Sequence, residues 1–448
     1  MSALRLCGFP IIQSDRRRPF MSLDLTACSA EYDAMNDATE FDIIIVGGGL
    51  AGGLASLALA DQGFSIALVD ADAPATKLAE TFDSRTTALA YACARVFKRL
   101  GVWGPLEKDA EPIRDILVSD GRRDLRNRPG FVSSLHLHFD SRELGNDEPL
   151  GFIIENRFMR HAIYEGVASR ANIMLIAPAR RTRTDYSKSE AQIVLEDGRK
   201  LQAPLVIAAD GRFSALRTEA GVNVNKWGYD QAGIVATVAH ERPHEGFAQE
   251  LFLPSGPFAI LPLTDNRSSL VWTEKSEAAP AYLALDEQEF TAAISARFGD
   301  YLGEVKLAGP RWTYPLAFHL AQSFMAPRLA LIGDAAHAIH PIAGQGYNLG
   351  VKDIAALTQT LAEARDVGLD IGALTTLERY NSWRRFDSAT LAFGGDALVR
   401  LFSNDIAPLR IARSVGMGAV NAVKPLRKFF MRQAGADIGR LPALMAPF

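Results

Sequence analysis

Three short stretches of the chain combine residue types and spacings that could do chemistry. The first is Gly47-Gly48-Gly49-Leu50-Ala51-Gly52, a G-x-G-x-x-G run, with Asp70 following 18 residues after Gly52. Glycines at these positions let a backbone turn tightly and approach a pyrophosphate. A helix opening there offers free N–H groups to the anion, and an acid about 20 residues on can accept ribose hydroxyls. An acid at that place suits FAD or NAD, because it would repel a 2′-phosphate. The second stretch is Asp210-Gly211-Arg212-Phe213-Ser214-Ala215-Leu216-Arg217, at the end of the apolar run Leu205–Ala209. By itself it reads equally well as an Asp-Gly turn. The third is Gly333-Asp334, after Leu331-Ile332, followed by Pro341-Ile342-Ala343-Gly344-Gln345-Gly346-Tyr347-Asn348-Leu349-Gly350. Here a second glycine-rich loop opens a helix, and Gly344 and Gly346 would let a flat ring lie against bare backbone.

These stretches need elements to hold them. Phe41–Val46 reads as a buried strand, Leu50–Asp61 as a helix stopped by Gly63, and Ser65–Val69 as a second apolar strand, which together make a βαβ unit with parallel strands. Leu205–Ala209 and Leu329–Ile332 are further buried strands, and Phe158–Ala168 and Gly350–Ala364 read as helices. Between them lie β-rich stretches: Leu135–Phe139 alternates with period two, and Gly233–Val238, Gln249–Phe252 and Ser269–Thr273 are short strand candidates. The expected fold class is therefore α/β, a Rossmann-type nucleotide-binding domain interrupted by a mostly antiparallel β-sheet domain. The expected division is an arm without order at 1–40 and a discontinuous nucleotide-binding domain at 41–112, 150–220 and 318–395. A β-rich domain is expected at 113–149 and 221–317, with a helical basic segment at 396–448.

Composition narrows the classes. The chain has 448 residues, 48% hydrophobic and 22% charged, so it is neither a disordered chain nor a disulfide scaffold. Its net charge of −4 lacks the basic excess of a nucleic-acid binder. Cys7, Cys28 and Cys93 form no CxxC pair, and a sparse, odd count suits a reducing compartment. The uncharged stretch Ile43–Ala60 contains five glycines, which favours a turn over a membrane span. His337 and His340 make an HxxH spacing with no third ligand nearby in sequence, so no metal is expected. His136 and His138 fit the polar outer face of a strand, Cys93 a small packing residue, and Trp103, Trp227, Trp272 and Trp312 the core.

In their order and spacing the three motifs resemble the FAD-dependent aromatic hydroxylases of the para-hydroxybenzoate hydroxylase type, over about residues 41–435. More narrowly, His340–Gly350, Asp83–Ala90, Tyr380–Arg385 and Arg400–Asp405 are similar to stretches of the ubiquinone-biosynthesis hydroxylases that act on polyprenylphenols. Gly395 and Lys352 depart from that pattern, where threonine and arginine are more frequent. The resemblance implies that Gly47, Gly49 and Gly52 cradle the FAD pyrophosphate and Asp70 holds the adenosine ribose. Arg85 would sit by the flavin or its phosphates, with Arg157 also reaching the cofactor. Asp210 would lie between FAD and the incoming NADPH or NADH, and Gly333 and Asp334 would bind the ribityl or pyrophosphate region. Gly344, Gln345, Gly346, Tyr347 and Asn348 would line the isoalloxazine, with Pro341 beside its reacting face.

The implied reaction is reduction of FAD by NAD(P)H, addition of O2 at the flavin C4a, and hydroxylation of an electron-rich polyprenylated phenol by the hydroperoxide. No catalytic base is assigned. The flavin-face candidates are Pro341, Gly344 and Gln345. Alternatives are a related monooxygenase acting on another aromatic or lipid, and a flavin-holding subunit without turnover. Other ubiquinone-biosynthesis enzymes are the implied protein partners. Residues 397–448 carry a net +6 with Leu426, Phe429, Phe430 and Met431 among the bases. Such a segment can lie on an anionic bilayer, and neutralising Lys424, Arg427 and Lys428 should weaken that contact. The expected location is cytoplasmic, peripheral to the inner face of a membrane.

Overall fold

The computed structural model describes residues 39–79, 85–120, 136–145, 148–403 and 406–448. The expected arm lies outside these, except that Thr39–Glu40, assigned to it from sequence, pair in parallel with Leu201–Gln202. Asp83, Ser84, Leu135, Asn404 and Asp405 also lie outside the described residues.

The strand Ile43–Val46 is flanked by Leu205–Ala208 on one side and Ile66–Val69 on the other, all parallel. Leu329–Leu331 and Ile173–Ile176 extend the sheet in parallel, and Met325–Ala326 closes one edge antiparallel. Leu205, Val206, Ile207 and Ala208 are all fully buried, as strands covered on both faces must be. The register sets where the three motifs emerge. Val46 pairs with Ala208, and Ala208 with Leu331, so all three strands end at one level. Gly47, Asp210 and Gly333-Asp334 therefore leave the same carboxyl edge. The strand order reverses between Ile43–Val46 and Leu205–Ala208, and ligands of such sheets bind outside the carboxyl ends at that reversal.

A second, larger sheet runs from His337–Ala338 through Trp312–Ala321, Val224–His240, Arg267–Lys275, Gly256–Leu263, Phe247–Leu253 and Asp115–Asp120 to His136–Asp140. Its pairs are antiparallel, except that Phe247–Leu253 lies parallel to Asp115–Asp120. One face buries Phe258, Leu270 and Trp272 against Phe290 and Ile294 of the helix Glu287–Phe298. The opposite face carries Val118 and Phe252, which pack with Ile342, Val399, Phe402 and Met417. The sheet thus meets the second glycine loop and the helices Leu374–Phe402 and Ala407–Ala422. A further helix, Lys424–Ala434, buries Met431 with Ile113, Phe139 and Leu150.

Three features differ from the sequence reading. Arg181–Tyr186, Ala191–Leu195 and Lys200–Ala203 form a small antiparallel sheet where no strand was expected. Helices Ala279–Ala284 and Glu287–Phe298 stand inside a stretch read as strands and turns. The basic tail is less free than its composition implied. Arg427 is held bidentate by Glu143 at 2.8 Å, and Arg413 donates to the carbonyls of Leu401 and Phe402. Arg427 is therefore not a free membrane contact.

Candidate functional site

The carboxyl edge brings the three motifs into contact through bare backbone. A Cβ on Gly47 (φ +106°) would lie 2.3 Å from the Ala209 carbonyl oxygen, and one on Gly52 would lie 1.8 Å from the Gly47 carbonyl oxygen. A Cβ on Gly350 would lie 3.2 Å from the Cα of Gly333, and one on Gly333 would meet the Ala51 side chain, so the helix after the second loop packs on the helix after the first. These glycines make the fold possible. Gly49 and Gly346 differ, since a Cβ at either would meet nothing within 4 Å. They hold open a space that the protein does not fill.

That space is suited to an anion. The helices Leu50–Ala60 and Gly346–Asp366 begin without a capping side chain or an acidic residue in the first turn. Their ends meet where the Tyr347 hydroxyl donates to the Leu50 carbonyl at 3.2 Å. Two uncapped helix starts place unpaired N–H groups and partial positive charge on one spot.

The acids are arranged around it. Asp70 is buried; it accepts the Gly48 N–H, the Asp72 N–H at 2.8 Å and the Lys77 ammonium at 2.5 Å. Lys77 was not singled out from sequence, where it belongs to no motif. Asp210 accepts the Ala215 N–H at 3.0 Å through Oδ2, while its buried Oδ1 has no partner. Asp334 is exposed at its side chain, yet protein crowds it enough that desolvation raises its pKa against the pull of His337, Arg85 and Arg212. A carboxylate both open to solvent and surrounded by protein lines a cleft. Arg85 is exposed beside it, its carbonyl fixed by the Asn156 N–H at 2.9 Å. Arg217 ties the second motif to the third by donating to the Ala335 carbonyl at 2.9 Å.

Beneath the Gly333-Asp334 turn lies a network that the sequence did not reveal. Asp353, fully buried, accepts the Gly333 N–H at 3.1 Å, His337 Nε2 at 2.5 Å and Arg384 Nε at 2.9 Å. Burial works to raise the Asp353 pKa, but the neighbouring His337 and Arg384 hold it below the ordinary carboxylate range. One carboxylate thus grips both ends of the turn that presents Asp334. Lys352, one of the two departures from the family pattern, is buried and faces Asp387 at 3.5 Å, in the same network as Arg384.

The remaining candidates divide by contact. Asn348 spends its side chain on the Ala90 N–H (2.9 Å) and the Ala88 carbonyl (2.8 Å), pinning the second loop to the strand Thr86–Ala90. Gln345 donates to the Ala434 carbonyl at 3.0 Å, and Gly344 (φ +62°) accepts from Asn348. Pro341 accepts the Gly344 N–H at 2.9 Å. Arg157 faces Glu155 at 2.9 Å and stacks on Phe158, and its described contacts do not reach the glycine loops. Of the tryptophans, Trp272 is core, Trp227 stacks on Phe318 at 3.9 Å, and Trp312 is exposed. Among the described residues no cluster of metal-ligating side chains occurs.

The site fits a flavin dinucleotide. The bare Gly49 and Gly346, the paired helix starts and the orphaned Asp210 Oδ1 are what a long, anionic, flat-ended ligand would use. Comparison with known proteins agrees. The FAD binding domain family matches residues 40–385. Ubiquinone hydroxylase UbiL of Rhodospirillum rubrum is 45% identical over 393 residues, covering 88% of this chain and 89% of that one. The 3-demethoxyubiquinol 3-hydroxylase of Escherichia coli is 32% identical, covering 89% and 99%. The crystal structure of p-nitrophenol 4-monooxygenase PnpA from Pseudomonas putida shares the fold with a TM-score of 0.73 at 16% identity, covering 90% of this chain and all of that one. The chain belongs to the FAD-dependent hydroxylases of ubiquinone biosynthesis, and it is a flavoprotein monooxygenase.

Proposed function

We propose that the chain hydroxylates the ring of a polyprenylated phenol, with NADPH or NADH as electron donor and O2 as oxygen source. The observation that carries this reading is the meeting of two uncapped helix starts at Gly49 and Gly346, a site suited to FAD, in a chain 45% identical to a ubiquinone hydroxylase. A buried apolar seam of Phe252, Ile342, Val399, Phe402 and Met417 joins the large sheet, the loop after Pro341 and the C-terminal helices.

FAD, when bound, supplies the oxygen-activating chemistry. The residues of the chain bind and orient. Gly47, Gly49 and Gly52 with the two helix starts would hold the pyrophosphate, Asp70 the adenosine ribose, and Asp334 with Arg85 the ribityl end. Gly344 to Asn348 would bed the ring system, with Gln345 and Asn348 acting by fixing the loop. Asp210 Oδ1 would face the junction with the incoming nicotinamide cofactor. The seam and the large sheet keep water from the reacting ring, which prevents wasted reduction of O2 to H2O2.

The reading extends to the membrane that carries such a substrate. Val415, Leu426, Phe429 and Phe430 are exposed on the helices Ala407–Ala422 and Lys424–Ala434, and Val423 between them, beside Lys424, Lys428 and Arg432. An apolar face edged with bases supports peripheral contact with an anionic bilayer. Among the described residues no helix is long and apolar enough to cross a membrane.

The test is NAD(P)H oxidation by the purified flavoprotein with and without a short-chain prenylphenol, with mass analysis of the product. A substrate-dependent rise and a product heavier by one oxygen are expected. Bound FAD with neither would overturn the phenol reading.

A further inference from the structure

His340 is buried, 2% exposed, one residue before Pro341. Its Nδ1 accepts the Ile342 N–H at 3.2 Å. A ring nitrogen that accepts carries no proton, so the neutral imidazole keeps its hydrogen on Nε2. Burial pushes the His340 pKa down to about 4, against the opposing pull of Asp396, so the ring is neutral at pH 7. Nε2 is thus a donor, and it has no hydrogen-bond partner. A buried, unmet donor is costly, and natural proteins rarely keep one without use.

The surroundings say what would meet it. Tyr229 stands edge-on to the imidazole with ring centroids 5.1 Å apart, and packs into the same apolar seam as Ile342, Phe252 and Phe402. The nearby charge of Asp396, which accepts the Trp227 Nε1–H at 2.9 Å, is paired with Arg400 at 2.8 Å. An acceptor placed here would meet apolar walls, this N–H and the Tyr229 hydroxyl. A phenol oxygen on an apolar ring fits these conditions.

We propose that His340 is a substrate-positioning residue, whose Nε2–H donates to the ring oxygen of the phenol. This rests on the phenol reading of the site. The test uses the FAD-loaded protein without NAD(P)H, following the flavin absorption change on titration with a short-chain prenylphenol and with prenylbenzene, its deoxy counterpart. The wild type should bind the phenol more tightly. His340→Asn keeps an acceptor near the Ile342 N–H and, being shorter, leaves no donor at the Nε2 position. It should lose about 2- to 13-fold in phenol affinity and nothing for prenylbenzene. His340→Gln, which returns an N–H near the Nε2 position, should recover part of the loss. Equal losses for both ligands would assign His340 to loop packing, and no loss for either would mean the N–H only rests on the Tyr229 ring; each overturns the proposal. Equal wild-type affinities for both ligands overturn it without any variant, should His340→Asn fail to fold. Binding of neither ligand overturns the phenol reading and this proposal together.

Discussion

Two glycines of one motif should respond to the same substitution in opposite ways. At Gly52 a methyl group would stand 1.8 Å from the Gly47 carbonyl oxygen, a backbone atom that cannot swing aside. Overpacking of this kind costs about 1–3 kcal/mol or more. At about 2.1 cal/mol/K per residue, a chain of 448 residues has an unfolding entropy of about 0.9 kcal/mol/K, so Gly52→Ala should lower the Tm of the apoprotein by about 1–3 °C or more. Gly49 has φ −72° and ψ −169°, ordinary extended backbone, and a methyl group there would meet nothing within 4 Å. Gly49→Ala should leave the apoprotein Tm unchanged or raise it slightly, since it narrows the unfolded ensemble by about 0.4–1 kcal/mol. Its cost falls on the cofactor. Losing one charge-assisted hydrogen bond to the pyrophosphate, worth about 1.5–3 kcal/mol, weakens FAD binding about 10- to 150-fold. Apoprotein melting and quenching of flavin fluorescence on titration separate the two effects. A Gly49→Ala protein that binds FAD as tightly as the wild type, or that melts as early as Gly52→Ala, would refute the reasoning.

Removing the buried charge of Asp353 by Asp353→Asn should destabilise the chain by about 3–5 kcal/mol, the usual cost of breaking one partner of a buried pair. It should also weaken FAD binding, because the turn carrying Asp334 loses its grip at both ends; a urea midpoint and FAD affinity equal to wild type would count against this. His319 is buried beside Arg217, and burial, then that guanidinium, push its pKa from 6.5 to about 4. Its stabilising contribution is therefore complete above pH 6.5 and lost at about 1.4 kcal/mol per pH unit as pH falls towards 4. Urea unfolding at pH 7, 6 and 5 should show a slope to which His319 and His340 both contribute, reduced by this amount in His319→Gln. Reversing Lys424 and Lys428 to Glu should release the protein from anionic liposomes in a salt-sensitive manner, whereas Arg427→Gln, which breaks the pair with Glu143, should act mainly on stability; co-sedimentation and melting distinguish them.

The parallel sheet was legible because fully buried strands read as unbroken apolar runs, as in Ile43–Val46 and Leu205–Ala208, each ended by glycine or Asp-Gly. In the small sheet of residues 181–203 the strand Arg181–Tyr186 was not, since it offers no apolar face, whereas Ala191, Ile193 and Leu195 alternate as a half-buried strand does and could have been found. The helix Glu287–Phe298 could have been found. Asp286 and Glu289 form a reciprocal capping box, and Phe290 and Ile294 follow at helical spacing. Asp353 had no local signal, because its partners come from two other segments, the turn of Gly333 and His337 and the helix carrying Arg384. The glycines were visible as a motif, but only the packing distinguishes those that serve the fold from Gly49 and Gly346. Arg427 looked free in sequence, and its partner Glu143 lies far away along the chain.

The contacts between Gly47 and Ala209, and among Gly333, Gly350 and Ala51, join segments that a ribosome delivers far apart in time. Until Leu329–Leu331 has docked beside Leu205–Ala208, the ledge that receives the dinucleotide lacks a side. Long-range parallel pairing of this kind is slow to form. The vitamin-derived ligand must therefore be captured late, after nearly the whole polypeptide has been made. Flavin uptake then acts as a clock for the last step of biogenesis, and a cell short of riboflavin would accumulate finished but empty chains that lack the stabilisation a bound ligand provides.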